Sequence, residues 1–113
     1  MVDAVLNVAE VTRKTYEEII KFEPFGIGNP RPVFLIEEAA VLNQRYVGSG
    51  GDHLSCLIDV GSDKVKAIYF NCPPNLVIQS NKKYDILCNL SLDSWNDIER
   101  LSLQIIDLRE HQG

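Results

Sequence analysis

Between Lys83 and Leu92 every second residue is apolar: Tyr84, Ile86, Cys88, Leu90 and Leu92. A period of two puts these side chains on one face of an extended chain, the mark of a strand with one side buried. Four other segments share the habit. Val33–Tyr46 carries Phe34, Ile36, Ala40 and Leu42 as its apolar set. His53–Val60 sets Leu54, Cys56, Ile58 and Val60 against His53, Ser55 and Asp59. Lys64–Asn71 leaves its inner face open, since Val65, Ala67 and Tyr69 compete with Ile68 and Phe70. Glu99–Leu108 carries Leu101, Leu103 and Ile105. Turn formers separate them: Gly48-Ser49-Gly50-Gly51-Asp52, Gly61-Ser62-Asp63, Pro73-Pro74-Asn75 and Asp93-Ser94-Trp95-Asn96-Asp97.

Five consecutive short strands predict a mainly β chain, a five-stranded Greek-key barrel of the oligonucleotide-binding (OB-fold) type, which removes its edges by curling on itself. A small β-sandwich is the runner-up. The link between the third and fourth strands, which holds the short apolar run Leu76-Val77-Ile78, is too short and Pro-rich for a full helix. Ahead of the strands, Val2, Ala4, Leu6 and Val8 alternate as an extended arm, and a helix capped by Thr12 or Thr15 runs to about Phe22. Thr15 and Glu18 have capping-box spacing, and Tyr16, Ile19 and Ile20 share one apolar face. Residues 1–24 thus form the arm and helix, 25–34 a Gly/Pro connector, and 33–109 the barrel, all within a single domain.

The connector Phe25-Gly26-Ile27-Gly28-Asn29-Pro30-Arg31-Pro32-Val33-Phe34 is shaped rather than slack. Pro30 and Pro32 fix φ and push Asn29 and Arg31 into extended conformations, and Phe25 and Phe34 are the anchors that pin it to the core.

A chain of 113 residues with 45% hydrophobic and 24% charged residues is one ordinary globular domain. It has no apolar run near the roughly 20 residues that span a bilayer, and Asp3 with no basic flank does not read as a signal peptide, so a cytoplasmic location without membrane contact is expected. The three cysteines, Cys56, Cys72 and Cys88, never form a Cys-x-x-Cys pair, and core packing in a reducing compartment is their default role. Eleven Lys and Arg against sixteen Asp and Glu give a net charge of −5, which works against strong attraction to a phosphate backbone.

The connector's Pro24-Phe25-Gly26-Ile27-Gly28-Asn29-Pro30-Arg31-Pro32 resembles a Pro-Phe-Gly-x-Gly-Asn-Pro-x-Pro signature. Val47-Gly48, His53-Leu54, Ala67-Ile68, Phe70-Asn71, Trp95-Asn96 and Leu103-Gln104-Ile105-Ile106-Asp107 follow in the matching order. On these residues the chain, from about Val2 to Arg109, is similar to the C-terminal OB domain of the RecJ family of single-strand-specific 5′ to 3′ DNA exonucleases. Ser55 departs from the pattern, because the family often carries a basic residue after its His-Leu pair and uses it on phosphate. The resemblance implies a fragment of a larger metal-dependent nuclease whose aspartate and histidine motifs, with Mn or Mg, lie in upstream domains. No cofactor or metal is expected in this fragment.

Barrels of this kind bind oligonucleotides over the second and third strands, between the loops joining strands one and two and strands four and five. That geometry selects Arg45, Tyr46 and His53, then Lys64, Lys66 and Tyr69, then Trp95 and Arg100. Single-strand binders need aromatic rings for base stacking and cations for phosphate, and these supply both. Arg45, Lys64, Lys66 and Arg100 would meet phosphate, with His53 beside them and Trp95 or Tyr46 stacking. Structural readings stand next to these. Trp95 can cover a barrel mouth, Tyr46 and Tyr69 can be rim or core residues, the lysines can guard edges, and His53 can order its loop through Asp52.

Gly26-Ile27-Gly28 lacks the third glycine of a dinucleotide fingerprint, and Gly48-Ser49-Gly50-Gly51 lacks the Lys of a phosphate loop. No nucleophile, carboxylate pair or metal cluster stands out, so the fragment itself is expected not to be an enzyme. The leading expectation is a single-stranded-DNA-binding accessory module in DNA repair and recombination, weak in isolation and with little sequence preference, working beside the catalytic domains of the parent chain. The alternative is a structural or protein-interaction barrel that packs on sibling domains or a partner without touching DNA.

Overall fold

The computed structural model describes residues 2–22, 31–61 and 63–112, apart from the side chains of Lys21, Phe22 and Trp95. The connector residues Phe25–Pro30 therefore lie outside the described residues. Along the described chain come β1 (Ala4–Asn7), a 3₁₀ turn (Val8–Glu10), α1 (Arg13–Phe22), β2 (Val33–Val47), β3 (His53–Asp59), β4 (Lys64–Tyr69), β5 (Lys83–Trp95) and β6 (Ile98–Glu110).

β2 pairs antiparallel with β3 on one side and with β5 on the other. β3 pairs antiparallel with β4, β4 parallel with β6, and β6 antiparallel with β5. The order β2-β3-β4-β6-β5 thus returns to β2, and the sheet closes as a five-stranded Greek-key barrel of the OB type. β1 adds alongside β2 in parallel, from Ala4 opposite Phe34 to Asn7 opposite Glu37.

The interior follows the alternation closely in two strands. Leu54, Cys56, Ile58 and Val60 are buried, as are Tyr84, Ile86, Cys88 and Leu90. In β4 the pairing decides the open question: Leu54 faces Tyr69, Cys56 faces Ala67 and Ile58 faces Val65. Those three partners go inside, and Phe70 is left exposed. The expected inner set of the first strand needs correction. Phe34 and Ile36 are buried, but Ala39 and Val41 follow them instead of Ala40 and Leu42. The cause is a bulge between Ile36 and Ala39, where Glu38 has φ +58°. One extra residue moves every later side chain to the opposite face.

A second slip, between Leu87 and Cys88, leaves Ile106 without a ladder partner on β5 and 44% exposed, so that Leu108 rather than Asp107 turns inward after Ile105. The last strands are also longer than their apolar pattern suggests. β5 continues through Trp95, and only Asn96 and Asp97, at φ +52° and +62°, connect it to Ile98.

The amino-terminal arm docks on the barrel. Asp3 donates its backbone N–H to the Val33 carbonyl and accepts from the Val33 N–H on its carboxylate, both at 2.7 Å. Leu6 and Val11 are buried, and Tyr16 and Ile19 of α1 pack against the core. Thr12 caps the helix, its Oγ1 accepting from the Thr15 N–H at 3.1 Å. Asn7 and Glu10 form a capping box on the short turn before it. The span between β4 and β5 is free of helix among the described residues, and Leu76 and Ile78 from it pack against the core.

Cys56, Cys72 and Cys88 are free and buried, the packing role that their spacing implies. Burial pushes the Cys56 thiol to about 11 and the Cys88 thiol to about 12.

Past the end of β6, His111 sits over the bulge. Its Nδ1 lies 2.8 Å from Asp85 Oδ1 and its Nε2 lies 3.2 Å from Glu38 Oε1. Asp85 Oδ1 also accepts the Glu38 backbone N–H at 3.1 Å, so one carboxylate ties the ring to the bulge. The hydrogen bond to Asp85 holds the imidazole pKa above its usual range; partial burial opposes this, and the charges of Asp85, Glu38 and Glu37 add to it.

Because folding raises this pKa, the contribution is complete below the unfolded-state value of about 6.5 and is lost as pH climbs through the folded-state value. His111→Ala should therefore lower the thermal midpoint more at pH 5.5 than at pH 9. Melting curves of both proteins at the two pH values measure the difference, and an equal loss at each pH would contradict the clamp.

Candidate nucleic-acid interface

With Val65, Ala67 and Tyr69 turned inward, Lys64, Lys66 and Ile68 must face outward on β4, and Phe70 continues their row. On β3 the same rule turns His53, Ser55 and Leu57 outward. The ladder aligns these into rows that cross the barrel. One row runs from Arg45 on β2 through Ser55 and Ile68 to Gln104 on β6 and Asn89 on β5. Its neighbour runs from Leu57 through Lys66 to Ser102 and Ser91, whose hydroxyls are 3.1 Å apart.

At one end of this face stands an aromatic pair. The rings of His53 and Phe70 meet edge to face, 5.3 Å apart at 74°, and Phe70 is 49% exposed. The Asn71 backbone N–H donates to His53 Nδ1 at 3.0 Å, so in the neutral ring the proton is on Nε2. Gly48 closes the loop before β3 against that ring. It has φ +94°, and a Cβ there would stand 2.9 Å from His53 Cδ2. Any side chain at this position would be strained and would displace the imidazole.

Between β4 and β6 the face sinks into a groove of about 260 Å³. Phe70 and Ile68 line it from β4 with Lys66, and Ser102 and Asp93 line it from the other side, above the paired Ala67 and Leu103. Arg100 is opposite Asp93 in the ladder.

The candidates chosen from sequence fall into three groups. Arg45, His53, Lys64, Lys66 and Arg100 lie on the outer surface of the strands that form these rows; the four cations are exposed, and His53 is half-buried. Among the described residues none of the four cations has a carboxylate within ion-pair distance, whereas Arg13, Lys82 and Arg109 are engaged with Glu17 and Glu99, Glu110 and Asp107. Tyr46 stands apart. It alternates to the side opposite Arg45, donates its hydroxyl to the Leu76 carbonyl at 2.9 Å, and lines a different pocket with Gly50, Asp52, Cys72 and Pro74. Tyr69 is buried. Trp95 ends β5, and its side chain lies outside the described residues.

Phe70, Asp93, Ser102 and Gln104 were not among the candidates. The signal for Phe70 was present in the alternation of β4, but only the pairing with β3 could choose between its two faces. The face offers a stacking surface, cations and neutral hydrogen-bonding groups, which is binding chemistry. Among the described residues no group of three or more His, Cys, Asp or Glu is placed to hold a metal ion, and no helix is long and apolar enough to cross a membrane.

Residues 2–107 match the family model described as the RecJ OB domain. The chain belongs to that family. It is 28% identical over 107 residues to the single-stranded-DNA-specific exonuclease RecJ of Bacillus subtilis (strain 168), covering 94% of this chain and 14% of that relative. The structure of RecJ in complex with Mn²⁺ from Thermus thermophilus superposes with a TM-score of 0.62 at 27% identity, over 88% of this chain and 14% of that one. A chain of a replication protein A heterotrimer bound to single-stranded DNA has the same fold, with a TM-score of 0.53 at 15% identity over 76% of this chain and 62% of that one. The chain therefore spans about one-seventh of the length of the RecJ proteins it matches.

This RecJ OB barrel carries its rim hairpin on two left-handed residues, of which Asp97 is the costlier choice. A non-glycine residue in this region costs roughly 1–2 kcal/mol, offset by the roughly 0.5–1 kcal/mol that glycine loses in chain entropy. Asp97→Gly should raise stability by about 0.5–1 kcal/mol in urea unfolding, since glycine is favoured at this place in two-residue hairpins. A loss of stability would show that the aspartate side chain does more than tolerate the turn.

Proposed function

We propose that this domain binds single-stranded DNA as an accessory domain of a RecJ-type 5′ to 3′ exonuclease acting in DNA repair and recombination in the cytoplasm. It helps to hold the strand for a nuclease core on sibling domains, where Mn²⁺ or Mg²⁺ supports cleavage. The observation that carries this reading is the outer face of β3 and β4, where the exposed Phe70 ring, braced by His53, stands in the same row as Lys64 and Lys66. Bases stack on such a ring with about 1–3 kcal/mol each, and the surrounding cations meet the strand's phosphates and polar edges. The name of the Bacillus subtilis relative, a single-stranded-DNA-specific exonuclease, supports the same assignment.

A net charge of −5 sets the strength. Phosphate contacts supply most non-specific affinity, so the isolated domain binds in the micromolar range or more weakly. The domain contributes grip, and cleavage belongs to the rest of the parent chain.

Fluorescence anisotropy with labelled oligothymidylate at low salt tests this directly. Phe70→Ala should weaken binding roughly tenfold through lost stacking. Lys64→Ala with Arg100→Ala should flatten the dependence of log affinity on log salt by about 1.4, since each phosphate neutralised on a single strand contributes about 0.7. Labelled strands mixed with this chain and Mn²⁺ should stay intact. If no oligonucleotide responds at any salt concentration, the face is instead an interaction surface for a protein.

A further inference from the structure

We propose that the groove between β4 and β6 is a nucleobase subsite that prefers guanine, with Lys66 and Asp93 reading the base edge and Phe70 stacking on its ring; this rests on the single-strand reading above. The group that sets the groove's chemistry is Asp93, an exposed carboxylate. It lines the groove together with Lys66, and among the described residues its carboxylate has no hydrogen-bond or ion-pair partner, although Arg100 is opposite it in the ladder. An unpaired carboxylate on a surface that meets DNA repels phosphates and attracts N–H donors. It therefore turns base edges into the groove and leaves the backbone to Lys64 and Arg100 on the surrounding surface.

The chemistry of the groove then discriminates among bases, whose pairing edges are open in a single strand. Guanine presents the O6 acceptor beside two adjacent donors, N1–H and N2–H. The ammonium of Lys66 can donate to O6, and the two oxygens of Asp93 can accept from the neighbouring donors in bidentate fashion. Thymine presents one N3–H between two carbonyls, so any approach to Asp93 sets a carbonyl oxygen against a carboxylate oxygen. Cytosine and adenine each offer one donor next to an acceptor and fall between. Phe70 at the end of the groove adds to the preference, because a purine presents the larger stacking area.

The test compares d(GT)6, d(IT)6 and dT12 by fluorescence anisotropy at low salt, with the whole chain and with Asp93→Ala. Hypoxanthine in d(IT)6 keeps O6 and N1–H but lacks the 2-amino group. The wild-type chain should bind d(GT)6 about fivefold more tightly than dT12, a ratio suited to one or two charge-assisted hydrogen bonds on an exposed face, with d(IT)6 between them. Asp93→Ala should bind dT12 more tightly, having lost a negative charge, while the ratio of d(GT)6 to dT12 falls below about twofold. Asp93→Asn should show the same loss of discrimination. Equal binding of all three by the wild-type chain, or a guanine preference that survives in both variants, overturns the subsite while leaving single-strand binding in place. Failure of every oligonucleotide to bind overturns both.

Discussion

The structure depends on β2 pairing with two partners at once. A flat strand cannot lie between β5 at its start and β3 at its end while both neighbours curl toward each other behind it. The bulge at Glu37 and Glu38 makes the bend, and Asn43 at φ +52° marks the second irregularity, between Leu42 and Arg45. Bulges increase local twist and re-aim side chains, and here they turn one 15-residue strand into two linked halves. Asp85 on the adjacent β5 and His111 past the end of β6 hold the first bend, so the cost of the left-handed Glu38 is met by contacts from the two strands of the β5–β6 hairpin side.

How far the sequence showed this in advance varies strand by strand. Where pairing is regular, as in β3 and the first half of β5, alternation named the inner residues. It failed from Ala39 onward because a bulge is a single extra residue with no composition of its own, and Glu37-Glu38 reads like any exposed pair. In β4 both faces are apolar, and only a neighbour could choose between them. The same limit applies to the site. Lys64 and Lys66 were chosen for their charge, but their face, and with it Phe70, could not be assigned before the pairing with β3 was known, and Tyr46 was assigned to a loop where its strand register turns it away. Asp93 was read as part of a turn, although the strand runs past it to Trp95.

An acidic domain in a family of DNA enzymes is less paradoxical once its charges are placed. Three of the basic residues elsewhere are tied up with carboxylates: Arg13 with Glu17 and Glu99, Lys82 with Glu110, Arg109 with Asp107. Arg45, Lys64, Lys66 and Arg100 are not so engaged among the described residues. Total charge governs long-range attraction, while the local arrangement governs what happens on contact.

The parallel joint between β4 and β6 is the shortest in the ring, with Lys66, Ala67 and Ile68 opposite Ser102, Leu103 and Gln104. A ring of staves loosens where its boards overlap least, so this seam is where backbone breathing is expected to start. The groove lies on the same seam. A polymer stretched over it would act as a splint, stiffening the cylinder where it is easiest to pry apart.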